Sequence, residues 1–162
     1  MAADPTRRAT IPGIHIRDAR PDDKAVIADI LRNATRAAYR FMAWPHTDKD
    51  FDDFVDDSMA RWDRVRVACQ DDDTVVAFMC MEGKLIDQLF VAPDHQGHGI
   101  GGSLIEDAKA LCPRGLSIFT FQANKPARAF YEKHGFRPVA FGVSEQEGEP
   151  DVTYVWAGDA AA

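Results

Sequence analysis

A chain of 162 residues, 46% of them hydrophobic, is the size of one domain and can bury a proper core. The formal net charge of −7 argues against nonspecific nucleic-acid binding, which needs a basic face, and suits a cationic substrate. The longest apolar run, Val75 to Met81, is too short to cross a bilayer, and Met1–Arg8 lacks the apolar core of a signal peptide. Cys69, Cys80 and Cys112 are scattered and odd in number, so neither a disulfide framework nor a Cys-x-x-Cys metal pattern is present. The expected setting is a reducing cytoplasm, with no membrane and no nucleic acid as partner.

Residues 1–12 and 158–162 read as loose tails of a single domain spanning 1–162. Ile14-His15-Ile16-Arg17 alternates as a first strand. Pro21-Asp22-Asp23 opens a helix on which Val26, Ile27, Ile30 and Leu31 repeat at helical spacing. Trp44-Pro45-His46-Thr47-Asp48 breaks that pattern, and a second helix gathers Phe51, Phe54, Val55 and Met59 on one side. Val65–Cys69, Val75–Cys80 and Leu85–Val91 read as strands joined by tight turns, hence antiparallel hairpins. A glycine-rich loop leads into a helix from Ile100 to Leu111, stopped by Pro113 and Gly115. Leu116–Phe121 is the next strand, and a strand, crossover helix and strand imply parallel pairing. A helix runs from Pro126 to about His134, and Phe136–Val143 and Val152–Trp156 form a closing hairpin.

Leu89-Phe90-Val91-Ala92-Pro93-Asp94-His95-Gln96-Gly97-His98-Gly99-Ile100-Gly101-Gly102 carries the most chemistry. Backbone N–H groups in such a loop, at the positive end of a helix, form a site for a diphosphate. Gly97-x-Gly99-x-x-Gly102 also spells the dinucleotide fingerprint, but that fold wants an acid about 20 positions on, where Phe119–Asn124 holds no carboxylate. A P-loop is excluded because no Gly-Lys-Ser/Thr follows.

Gln96-Gly97-His98-Gly99-Ile100-Gly101 resembles the Gln/Arg-x-x-Gly-x-Gly/Ala pyrophosphate loop of the GNAT superfamily of acetyl-CoA-dependent N-acetyltransferases. Asn124-Lys125-Pro126-Ala127-Arg128-Ala129-Phe130-Tyr131-Glu132-Lys133-His134-Gly135-Phe136 is similar to its Asn-x-x-Ala-x-x-Phe-Tyr-x-x-x-Gly-Phe segment, one helix and one strand later. The resemblance covers residues 85–137. It implies an α/β (α+β) fold: a mixed, mostly antiparallel twisted sheet of about seven strands with about four helices. Two central parallel strands would splay apart, with the pantetheine arm of acetyl-CoA lying in the gap as an added strand would. Implied cofactor-binding residues are Leu89, Phe90, Val91, Gln96, Gly97, His98, Gly99, Ile100, Gly101, Gly102, Asn124, Arg128 and Tyr131.

Acetyl transfer to an amine needs a neutral nitrogen, a donor for the oxyanion and a proton for the leaving thiolate. The resemblance implies a backbone N–H of Leu89–Val91 as oxyanion donor and the Tyr131 hydroxyl as the proton source. Asp87, expected on one face with Leu85, Leu89 and Val91, is the candidate base, with His46, Glu82 and Glu149 as further candidates and a water chain as the alternative. Tyr39, Trp44, His46 and Glu149 are expected in the acceptor pocket, together with Glu145, Glu147 and Asp151 of the same acidic loop. Lys125 and Arg128 are candidates for the CoA phosphates. His95 and His98 stand three apart without a third ligand, so no metal is expected. The resulting expectation is transfer of an acetyl group from acetyl-CoA to a small-molecule or peptide amine by a monomer or homodimer. Another acyl-CoA, or a noncatalytic acyl-CoA-binding module on the same fold, is the alternative.

Overall fold

The computed structural model describes residues 11–40, 46–145 and 147–159. In chain order the elements are β1 (Ile14–Asp18), α1 (Lys24–Ala38), α2 (Asp48–Met59), β2 (Arg64–Gln70), β3 (Val75–Glu82), β4 (Leu85–Val91), α3 (Ile100–Leu111), β5 (Leu116–Phe121), α4 (Lys125–Lys133), β6 (Arg137–Val143) and β7 (Pro150–Trp156). They build one seven-stranded sheet in the order β1-β2-β3-β4-β5-β7-β6. Every neighbouring pair is antiparallel except β4 and β5, as the crossover through α3 requires. Trp44, an expected pocket residue, lies outside the described residues.

Apolar residues at helical spacing bury each helix against the sheet. On one face α1 and α2 cover Val67, Cys69, Phe78 and Cys80 with Ile27, Ile30, Leu31, Phe51 and Val55. On the other, Leu104, Ile105 and Ala108 of α3 and Tyr131 of α4 pack on Met79, Met81, Ile86, Ile118 and Tyr154. The central strand β3 is covered on both sides, which explains its unbroken apolar run. Among the described residues no helix is long and apolar enough to cross a membrane.

Three local devices set the geometry of the cleft. First, β4 and β5 pair only at Leu85↔Ser117 and Ile86↔Ile118, and then diverge. Second, β4 carries a bulge against β3: Met81 faces Ile86 whereas Cys80 faces Gln88, leaving Asp87 as the extra residue. This corrects the expected face of Asp87, which strict alternation put with Leu89 and Val91. The bulge resets the alternation, and Asp87 turns to the α1–α2 face, where Trp62 Nε1–H donates to its Oδ2 at 2.7 Å.

Third, α4 stops in a defined way. Gly135 takes φ +88, the Gly135 N–H donates to the Glu132 carbonyl and the Phe136 N–H to that of Tyr131. This double bond pattern at a left-handed glycine brings Phe136 back against Tyr131, ring centroids 6.0 Å apart. The Gly135-Phe136 pair thereby fixes the Tyr131 ring, and Phe136 belongs to the helix stop rather than to β6.

The buried pair of Arg66 on β2 and Asp107 on α3 fixes α3 to the sheet, with Nε and NH2 donating at 2.9 and 3.2 Å to the two carboxylate oxygens. Asp107 is 1% exposed. Asp107→Ala strands the guanidinium with only Asp18 beside it. Unfolding in urea should show a loss of about 3 kcal/mol; a variant as stable as the parent would remove the pair from the account of α3 packing.

Candidate active site

Where β4 and β5 part, a cavity of about 1680 Å³ opens through the molecule. Its α3–α4 side is walled by Leu89, Val91, Gly97, Gly99–Ser103, Asn124, Phe130 and Tyr131, and its α1–α2 side by Tyr39, Phe51, Phe54, Asp87, Phe119 and Phe121. The cleft therefore has two mouths, one on each face of the sheet, meeting at the vertex of the splay.

The glycine loop has the donor geometry that an anion needs. Gly99 caps α3 with φ +83 and no side-chain cap. Among the described residues no backbone N–H from Gly97 to Gly102 meets an acceptor; the first bond of the helix is Ser103 N–H to the Gly99 carbonyl. A row of unspent donors at a helix N-terminus is the donor set a diphosphate requires. Close packing also needs Gly101 and Gly102: a Cβ there would stand 3.2 Å from Phe130 Cζ and 3.0 Å from His134 Cε1. Gln96 ties the loop to β4, its Nε2–H donating to the Val91 carbonyl at 3.1 Å. These residues fit the diphosphate and arm of CoA. His98 is exposed and not part of the cavity wall.

Arg128 and Glu149 are placed differently from expectation. Neither lines the cavity. The Arg128 guanidinium donates to the Tyr154 hydroxyl at 3.0 Å and to the Gln122 carbonyl at 3.4 Å, which ties α4 to the sheet. The Glu149 carbonyl accepts the Ser144 N–H and closes the β6–β7 turn. Glu145, Glu147 and Asp151, expected at the pocket with Glu149, do line the cavity. Lys125 is exposed and outside the wall.

Tyr131 is 7% exposed, lines the cavity, and has no hydrogen-bond partner for its hydroxyl among the described residues. Burial pushes its pKa well up, with the nearby Tyr39 phenol adding to the effect, so it stays protonated throughout the neutral range. Asn124 spends both ends of its amide: Oδ1 accepts the Ala127 N–H at 3.2 Å, capping α4, and Nδ2–H donates to the Tyr39 hydroxyl at 2.9 Å. The Tyr39 ring also meets Phe121 edge-on at 5.2 Å.

The α1–α2 side is strongly acidic. Asp50, Asp53 and Asp57, on one face of α2, line it together with Glu82 and Asp87. Asp50 completes a capping box with Thr47, and Asp53 pairs with Lys49. Asp57 has no partner among the described residues. His46 Nε2 lies 3.9 Å from Glu147, bringing the start of α2 to the β6–β7 turn. Trp62 and the α2 carboxylates were not legible as site residues. A buried indole N–H always needs an acceptor, which is the one signal that could have directed attention to Trp62.

The cysteines are free. Burial, with Asp87 beside it, pushes the Cys80 thiol well up, and burial raises Cys69 as well, so neither is a poised nucleophile. His95 borders the cavity without a cluster of ligands around it. Among the described residues His15, Cys69 and Asp73 bring ligand atoms within 4.8 Å of one another, but Arg17 and Arg20 already hold the Asp73 carboxylate.

Comparison with known proteins agrees with this architecture. Residues 61–138 match the Acetyltransferase (GNAT) domain family. The peptidyl-lysine N-acetyltransferase YjaB of Salmonella typhimurium is 31% identical over 140 residues, covering 85% of this chain and 92% of that protein. The solution structure of apo-form YjaB from Escherichia coli superposes with a TM-score of 0.76 at 27% identity, covering 90% of this chain and 98% of that one. A spermidine N-acetyltransferase from Vibrio cholerae, solved with CoA and spermine, shares the fold at a TM-score of 0.67 and 17% identity, over 88% and 94% of the two chains. The chain belongs to the GNAT acetyltransferase family and is an acetyl-CoA-dependent N-acetyltransferase.

Proposed function

We propose that this enzyme acetylates lysine side chains of peptides or proteins, by direct attack of the amine on acetyl-CoA in a ternary complex. The observation that carries the mechanism is the buried Tyr131 hydroxyl, which lines the cavity and has no hydrogen-bond partner among the described residues. The lysine acceptor is supported by the YjaB relatives, which are named for it, and by the open, acidic acceptor mouth. We read 1–162 as one acyltransferase domain, supported by a single sheet on which both helix pairs pack.

The diphosphate sits on the N–H groups of Gly97–Gly102 and the pantetheine arm enters between β4 and β5. Acetyl-CoA supplies the activated acyl carbon. A neutral lysine nitrogen, arriving from the α1–α2 side, attacks that carbon; the C–N bond forms and the C–S bond breaks. The Tyr131 proton goes to the departing sulfur, and the nitrogen gives up its proton to Asp87, whose Oδ2 is held by Trp62. A lysine ammonium titrates near pH 10.4, so the rate should rise with pH until deprotonation of the amine stops limiting it.

Tyr131→Phe keeps the ring and removes the proton, and kcat should fall about 10²-fold with little change in the acetyl-CoA KM. Asp87→Asn should cost a similar factor in kcat/KM for the acceptor. Turnover at the wild-type level, measured where chemistry is rate-limiting, would return either residue to a packing role.

At the loop, Gly99→Asp keeps a residue tolerant of the left-handed conformation and sets a carboxylate among the unspent donors. Acetyl-CoA affinity should fall at least about tenfold, and Gly99→Asn should lose clearly less. Equal calorimetric affinities for Gly99→Asp and wild type would place the diphosphate elsewhere.

The acceptor is tested with lysine peptides blocked at the α-amine, against a polyamine, by thiol release and mass spectrometry. Acetylated lysine is expected; reaction of the polyamine alone would overturn the peptide acceptor. Asp57→Asn should raise the peptide KM about threefold at low ionic strength, with the difference vanishing in high salt. A KM equal to wild type at all salt concentrations would leave that carboxylate merely solvated.

A further inference from the structure

Thr120 on β5 is 8% exposed, and its hydroxyl has no partner among the described residues. It nevertheless lines the cavity. Leu116 and Ile118, which precede it on the same face, are apolar and buried. A buried hydroxyl without a partner is costly, and it persists where something absent from the bare chain completes it.

Its position says what that something is. Ile118 is the last residue of β5 to pair with β4. Thr120 is the next residue on that face, so it is the first to look into the opened gap, with Leu89 and Val91 across from it on β4. Val152, its neighbour on β7, is fully buried, so no water reaches the hydroxyl from that side. One rung back, Ile118 pairs with Tyr154, whose ring centroid stands 6.0 Å from that of Tyr131. Thr120 and Tyr131 thus line one and the same cavity.

We propose that the Thr120 hydroxyl is a binding group for the acyl-bearing end of the pantetheine arm, hydrogen-bonded to an amide of that arm, and that it holds the thioester in place beside Tyr131. The proposal rests on the β4–β5 gap being the place of the arm. A hydroxyl suits this task because it can donate to an amide carbonyl or accept from an amide N–H. A valine would fill the same space and offer neither.

Thr120→Val separates a ligand-binding hydroxyl from a structural one. Without ligand, the variant should melt no lower than wild type, and up to about 2–4 °C higher, because an unpaired buried polar group has been replaced by an isosteric apolar one. CoA affinity, measured by calorimetry, should fall about five- to tenfold. Thr120→Ser keeps the hydroxyl and loses the methyl group; it should bind CoA within about twofold of wild type while melting lower. Thr120→Val that binds CoA as wild type does, that melts several degrees lower, or that fails to fold overturns the proposal. So does Thr120→Ser with an affinity as poor as the valine variant. Failure of the wild-type protein to bind CoA at all would remove the cofactor site itself, a result distinct from loss in the variants alone.

Discussion

Two rungs of parallel pairing between β4 and β5, and then none, are the constraint on which the site depends. Parallel neighbours in a sheet normally continue their ladder, because unpaired peptide groups inside a protein are expensive. Here the strands are held apart by what lies to either side. β4 is fixed by its ladder to β3, and β5 by its ladder to β7. The insertion of β7 between β5 and β6 gives β5 a full antiparallel partner, so it does not need β4 beyond the vertex. The open strand edges then suit a ligand with amides of its own spacing, which is the chemistry of a pantetheine arm.

From the parting of the strands follows the division of labour between the faces. The α3–α4 side carries donors: the backbone N–H groups of the loop and the phenol of Tyr131. The α1–α2 side carries acceptors, the carboxylates of α2, Asp87 and the β6–β7 turn. An anionic cosubstrate and a cationic one would each be drawn to its own mouth. The bulge in β4 puts Asp87 on the α1–α2 side, where Trp62 holds it, rather than on the face of Leu89 and Val91. Without that one extra residue the carboxylate would face Leu89 and Val91, with no indole to hold it.

Features written in consecutive residues were legible in the sequence. The α3 boundaries, the crossover, the glycine loop and the Asn124–Phe136 segment each follow from local spacing, and the structure has them in the expected order. What escaped depends on register between distant segments. The β4 bulge is a relation between β3 and β4, so alternation along β4 alone put Asp87 on the wrong face. Arg128 looked free for a phosphate because Tyr154, which accepts its N–H, lies 26 residues away. Glu145, Glu147, Glu149 and Asp151 were all expected at the pocket, and only the geometry of the hairpin decides that Glu149 alone among them lies outside the wall. The α2 acids belong to no motif, and the only pattern that helix shows in the sequence is its apolar stripe, with Phe51 and Val55 in it.

The hydrogen bond from Asn124 to the Tyr39 hydroxyl spans the cleft between the end of α1 and the cap of α4. Asn124 also holds the first turn of the helix that carries Tyr131. A single amide side chain thus touches both walls of the cleft. Any coupling carried by that contact would be reciprocal by thermodynamic necessity: whatever an acceptor pressing on Tyr39 did to the grip on the cosubstrate, the cosubstrate would do in equal measure to the grip on the acceptor. The order in which the two ligands arrive can differ in speed, but the energy of the complex with both in place is the same by either route.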